Sequence, residues 1–275
     1  MKLYLRGSAE PGGKRSPLVA TGALRRMSRW QRTTCEMAIA EMDRTGTEAI
    51  SAIYAATVLG CLEDTERFLQ EIRQDETMLR SPLPFMRSTH NTIAGQLALL
   101  LDVKGENITF SHDTTSFHAA LIAASLHLQE RPQDHVLVLA TDERTDLSAS
   151  LIEAAMPGLE HRVGEGGGAF IVSGSPGATD VARITLVRTS VAPYELLTYV
   201  EQHAIVIAEK AAGTILHLPD VLVEPISVDE PVHGALFATM VARTLQRMQE
   251  GVIGGTYAIL GEHGGRWSII LLEPC

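Results

Sequence analysis

Apolar and polar positions alternate between two rhythms along this chain. Met27 to Met42 places Met27, Trp30, Cys35, Ala38, Ile39 and Met42 near helical spacing, which predicts a helix. "AISAIYAATVLG" is a continuous apolar run ending at Gly60, and "CLEDTERFLQEIRQ" follows with helical periodicity and early acids. That is a strand, a glycine turn and a helix. "STHNTIAGQLALLLDVKG" reads as a polar cap, a helix through Leu101 and a stop at Gly105. "ITFS" is a short strand, Ser116 to Gln129 a helix, "HVLVLAT" a buried strand, and "GEGGGAFIVSG" a glycine turn into another strand.

The later part repeats this grammar in less space. "ARITLVRTS" predicts a strand, Tyr194 to Ala212 a helix, and "TILHLPDVLVE" one or two strands. Val232 to Gln249 predicts a helix, and "TYAILG" with "RWSIILLE" a closing antiparallel pair. The residues before about Ser16 are rich in Gly, Pro and charge and read as a loop or mobile arm. "SGSPGATD" at Ser173–Asp180 is the best internal boundary. Strands alternating with helices imply an α/β fold with sheet buried between helix layers. Two halves of similar grammar suit a duplicated fold, although these halves are unequal in length.

Composition narrows the function classes. A hydrophobic content of 45% and a charged content of 20% are those of a globular protein with a sizeable core. The net charge of −10 argues against a nucleic-acid surface, which needs clustered Lys and Arg. No apolar run is long enough to span a bilayer, and "MKLYLRGSAEPGG" lacks the apolar core of a signal peptide. Cys35, Cys61 and Cys275 form no metal pattern and suit a reducing cytoplasm. No metal or cofactor is expected.

Candidate chemistry is sparse. The glycines of "GEGGG" at Gly164–Gly168 precede a strand, whereas a phosphate loop follows one and opens a helix. A loop where two backbones pass closely fits better. Ten histidines include no zinc-ligand spacing. His118 and His127 read as surface or packing residues, while His90 and His112 precede helices, where loops carry function. Cys61 opens a helix, but the acids of "LEDTE" oppose a thiolate there, so it reads as structural. No G-x-S-x-G elbow is present. The stretch "GENITFSHDTTSFHAALIAA" has the layout of a nucleophile at a helix N-terminus and holds no cysteine.

Five segments in order resemble the β-ketoacyl synthase family of the thiolase superfamily. They are "RRMSRWQRTT", "AIYAATVLGCLEDTERFL", "NTIAGQLALLLDVKGENIT", "HVLVLATDE" and "GEGGGAFIVSG", the last similar to the family's G-E-G-A-G-A-x-V-L. "HGALFATMVARTLQRMQEGVIGGT" and "RWSIILLE" resemble late ketosynthase segments more faintly. The resemblance implies a thiolase-like, layered α/β/α/β/α fold with its second half abbreviated. Residues 1–174 would form the N-terminal half and 181–275 the C-terminal half, packed as one domain.

The departures carry the functional expectation. The family's cysteine nucleophile falls on Asp113 or Thr114, neither of which can carry a thioester. His233 lies near one family histidine, but its motif is broken. The resemblance therefore implies a chain-length-factor-like subunit, similar to the short proteins of aryl polyene and polyketide pathways. Its partners would be an active ketosynthase, forming a heterodimer, and an acyl carrier protein. On this reading Asn107, Ile108, Thr109, Phe110 and Ser111 form the partner interface, with Ile108 and Phe110 on one strand face. His90, His112, Ser116 and Phe117 would line a pocket. Two alternatives remain open: an acyltransferase or hydrolase with an unconventional nucleophile, and an acyl-binding module without a synthase partner.

Overall fold

The computed structural model describes residues 2–11, 24–25, 27–74, 82–155, 163–200, 205–208, 222–225, 233–263 and 265–275. The first strand, β1, is Leu3–Leu5. Helix α1 (Arg29–Thr45) follows and ends at Gly46, whose left-handed backbone (φ 63°) lets its N–H and that of Thr47 reach back to the last turn. Next come β2 (Ala52–Ala56), α2 (Leu62–Gln74), α3 (Leu83–Arg87) and α4 (Thr92–Leu100). The first half closes with β3 (Asn107–Phe110), α5 (Ser116–Glu130), β4 (Val136–Asp142), α6 (Asp146–Ala155) and β5 (Gly166–Ser173). The second half contains β6 (Ala182–Val191), α7 (Pro193–Val200), β7 (Ile205–Ala208), β8 (Leu222–Pro225), α8 (Leu236–Gln249), β9 (Tyr257–His263) and β10 (Arg266–Pro274).

Two expectations need correction. The described N-terminal residues are no mobile arm: Leu3 and Leu5 are fully buried, and β1 lies in the middle of the sheet between β5 and β6, while residues 12–16 of the expected arm lie outside the described residues. A strand so short gives no pattern of its own; its partners define it. The helix predicted from Tyr194 to Ala212 is described as far as Val200, and Ile205–Ala208 within the same span is strand β7. Its β-branched residues pair with β8 and β9, a tertiary choice that overrides periodicity. Residues 201–204 and 209–212 of that predicted helix and 214–221 of the strand after it lie outside the described residues. Helices α3 and α6 are further elements that the pattern did not single out.

The strand order is β3-β2-β4-β5-β1-β6-β10-β9-β7-β8. Read inward from either edge, it is the same order twice: β3-β2-β4-β5-β1 and β8-β7-β9-β10-β6. Pairing directions match as well. β2 is parallel to β3 and β4, as β7 is to β8 and β9, and the remaining pairs are antiparallel. The unequal halves are thus a duplicated topology, joined by the antiparallel pair β1–β6.

Alternating side chains divide each half-sheet between two cores. Tyr54, Val138, Phe170, Tyr257, Ile259 and Ile270 face a shared central core with α5 and α8. Ile53, Leu137, Leu139 and Ile171 face outward under α1 and α4. Ala258, Leu260, Trp267 and Ile269 face outward under α7. The layers therefore run helix, sheet, helix, sheet, helix, as expected from the thiolase-like resemblance. Strands β2 and β4 are buried throughout because helices cover both their faces, which is why they read as unbroken apolar runs.

Candidate functional site

The two central helices begin next to each other. His118, in the first turn of α5, meets Phe237, in the first turn of α8, edge to face with ring centroids 4.5 Å apart. His118 is fully buried, both its ring nitrogens lack a hydrogen-bond partner among the described residues, and burial pushes its pKa down to about 3. It is a neutral packing residue. His127, lower on α5, is also buried, with Nε2 2.9 Å from Asp134 Oδ2. It sits beside Tyr54, whose hydroxyl bonds Glu106.

The head of α5 carries the sequence-predicted nucleophile position. Asp113 takes a left-handed backbone (φ 57°), unusual for a non-glycine residue, and its side chain is exposed. Ser116 Oγ accepts the His112 N–H at 2.8 Å and donates to the Asp113 carbonyl at 2.6 Å. Thr115 Oγ1 donates to the His112 carbonyl at 2.8 Å. These hydroxyls fasten the turn. Among the described residues no imidazole hydrogen-bonds Thr114, Thr115 or Ser116, the contact by which a histidine base would activate an oxygen nucleophile.

Of the residues expected to line a pocket, His112 and Ser116 meet in the turn, while His90 and Phe117 lie elsewhere. His90 and His112 are exposed. His90 stands over Gly60, where a Cβ would press on its ring at 3.3 Å. Ser116 is buried within the turn, and Phe117 packs in the central core with its ring 5.4 Å from Phe170. The cavity at this helix head, about 280 Å³, is lined instead by Thr115, Thr189, Ser190, Arg266, Trp267 and Ser268. Five of these come from β6 and β10 of the second half. No local sequence signal marks them, because they meet Thr115 only through the fold.

The head of α8 is closed. His233 lies against Gly166, where any side chain would overlap the imidazole, and a Cβ on Gly167 would overlap the Ala140 carbonyl. "GEGGG" is therefore a close approach of β5 to β4 and to the start of α8. Burial pushes His233 down to about 4; its Nδ1 has no hydrogen-bond partner among the described residues, and its Nε2 is 3.4 Å from Thr239 Oγ1. Asp142, at the end of β4, is buried, and its Oδ1 accepts from Thr57 Oγ1 (2.7 Å) and from the N–H groups of Val58 (2.9 Å) and Leu59 (3.0 Å). Burial raises its pKa despite these bonds. Glu143 is pushed up to about 7 by burial, while its Oε2 caps the Glu63 N–H at 3.0 Å. Arg29 forms a bidentate pair with Glu165, both contacts 2.7 Å, which holds the Glu165 carboxyl below its usual range.

The surroundings of Cys61 disfavour a thiolate. Its thiol is buried, accepts from Gln31 Nε2 at 3.7 Å, and is pushed up to about 12 by desolvation. Among the described residues no cluster of His, Cys, Asp and Glu could hold a metal ion, and no helix is long and apolar enough to cross a membrane.

Strand β3 is the outermost strand at its end of the sheet and, among the described residues, pairs with β2 alone. Phe110 packs toward the central core, and Ile108, on the same face, is 41% exposed. Asn107 Nδ2 on the other face bonds the Ala94 carbonyl at 2.9 Å, and Thr109 is half-buried. Ser111 lies past the strand's end, its hydroxyl 3.4 Å from the Val58 carbonyl. Ile122 and Leu126, one turn apart on α5, are also exposed.

The family described as β-ketoacyl synthase, N-terminal domain, matches residues 9–154. No curated protein matches the chain. Among solved structures, the ishigamide ketosynthase/chain length factor is similar with a TM-score of 0.69 at 18% identity, covering 95% of this chain and 85% of the other. A β-ketoacyl synthase from Burkholderia phymatum gives a TM-score of 0.73 at 13% identity over 98% of both chains. The ketosynthase ApeO in complex with its chain length factor ApeC, from Xenorhabdus doucetiae, gives 0.60 at 15% identity over 99% of each chain. At these identities the likeness speaks for the fold.

Proposed function

We propose, from the premise that the chain belongs to the β-ketoacyl synthase family, that it is a non-catalytic subunit of chain-length-factor type. It pairs with an active ketosynthase in the cytoplasm and shapes the acyl pocket in which that partner, fed by an acyl carrier protein, extends a polyketide or fatty-acid-like chain. Aryl polyene assembly is the pathway class we assign. The observation that carries this reading is the head of α5. By the sequence resemblance Asp113 or Thr114 takes the place of the family's thiol, and the hydroxyls of Thr115 and Ser116 are bonded within the turn. A thioester-forming condensation has no nucleophile there.

The edge strand Asn107–Phe110 supports a partner. An open edge with an exposed Ile108, flanked by Ile122 and Leu126, invites pairing with another chain. Coexpression with an active ketosynthase from the same organism is the test. A stoichiometric complex that condenses malonyl- and acyl-carrier protein, with neither subunit active alone, is the expected result. Condensation by the purified chain alone, or a stable acyl adduct on Thr114 by intact mass, overturns it.

A further inference from the structure

The cavity at the head of α5 has an unbalanced chemistry. Its described lining comprises one guanidinium, that of Arg266, the hydroxyl residues Thr115, Thr189, Ser190 and Ser268, and Trp267, with no carboxylate. Arg266 uses Nε on Ser190 Oγ at 3.1 Å and Nη2 on the Ser190 carbonyl. A guanidinium has five N–H donors and no acceptor, so further donors remain after these two bonds. Ser190 accepts from Arg266 through Oγ, which leaves its own O–H free to donate. Ser268 Oγ reaches the Gly261 carbonyl only at 3.4 Å, a long and weak bond. Spare guanidinium N–H groups and hydroxyls that can donate therefore border a space of about 280 Å³, with a fixed positive charge and no carboxylate on its described wall.

We propose that this cavity binds the oxyanion group of a small organic anion, a carboxylate or a phosphate ester, held by Arg266 and by the hydroxyls of Thr189 and Ser190. Guanidinium recognises both anions through paired N–H bonds, and the volume leaves room for a short organic arm beyond the charged group. The site requires no ketosynthase partner, so it stands or falls separately from the proposed subunit role.

Calorimetric titration of the full chain with inorganic phosphate, and separately with acetate, tests the assignment. Saturable binding in the millimolar range or tighter is expected for at least one of them. Tighter phosphate assigns a phosphate ester, and equal or tighter acetate assigns an organic acid. Arg266→Gln is expected to weaken the dissociation constant about tenfold or more, Arg266→Lys less, and Thr189→Val about threefold. Should Arg266→Gln fold poorly, Arg266→Lys and Thr189→Val carry the comparison. No saturable binding of either anion, or the same affinity in the Arg266 and Thr189 variants as in the unaltered chain, overturns the proposal.

Discussion

The heads of α5 and α8 occupy equivalent places in a duplicated topology, yet among the described residues one borders a cavity and the other is tightly packed. At α8, glycine lets β5 run against His233 and β4, and the buried polar groups Asp142 and Glu143 are tied to neighbouring backbone. At α5, the corresponding start of β10 brings Arg266, Trp267 and Ser268, which leave a cavity of about 280 Å³. The same fold positions both ends. Side-chain volume decides which one can hold anything. A closed head contributes stability, and an open one gives up packing for a space that a ligand or partner chain can use.

The contact between the heads gives the largest expected effect. Phe237→Ala removes a buried ring from His118 and the central core and is expected to cost about 3–5 kcal/mol, measured by urea unfolding. A loss below about 1 kcal/mol would mean that the two heads do not depend on each other. Next is the seal. Gly167→Val sets a side chain against the Ala140 carbonyl and is expected to cost about 3 kcal/mol. An equally costly Thr115→Val at the open head would erase the distinction.

Protonation separates the heads further. His233 is held at about 4, below an unfolded value near 6.5, so the unfolded chain binds the proton first. His233 thus contributes stability above pH 6.5 and withdraws it as pH falls toward 4; His118 acts in the same direction down to about 3. Glu143 works oppositely. Its folded value of about 7 lies above its unfolded one, so its contribution is full below about pH 4.5 and is lost as pH rises through 7. Stability measured from pH 4 to 8 is expected to peak between these limits. His233→Gln should shrink the acid-side loss by about 3 kcal/mol, and Glu143→Gln should flatten the alkaline side. Thr115→Val is the smallest change, within about 1 kcal/mol, because it removes one bond at the edge of the open cavity. A larger loss there would show that the open head supports the fold as strongly as the sealed one.

The fold was legible wherever burial imposed a rhythm. The runs around Ile53, Leu139 and Ile171 and the helical spacing from Trp30 to Met42 were plain, since continuous cover or one buried stripe leaves a pattern in the residues themselves. The missing thiol was equally plain, because it rests on identity alone. Strand β1 was not legible: three residues have no period, and only β5 and β6 on either side make Leu3–Leu5 a strand. Nor was β7, whose four residues continue a helix-like spacing until β8 and β9 claim their hydrogen bonds.

The site shows the same limit more sharply. His90, His112, Ser116 and Phe117 were gathered by resemblance and by their places at the heads of helices, and the fold leaves two at the surface, one in a turn and one in the core. Ser190 and Arg266 lie far along the chain from Thr115, and only the packing of the second half-sheet beside α5 joins them. By itself the sequence determined the alternation of strands and helices, the α/β class and the absence of a cysteine at the head of α5, since each depends on local identity or spacing. The tertiary structure alone decided the duplicated strand order, the place of β1 at its centre, and which helix head stays open. Those depend on contacts between residues far apart in the chain, and no local pattern encodes the volume left between them.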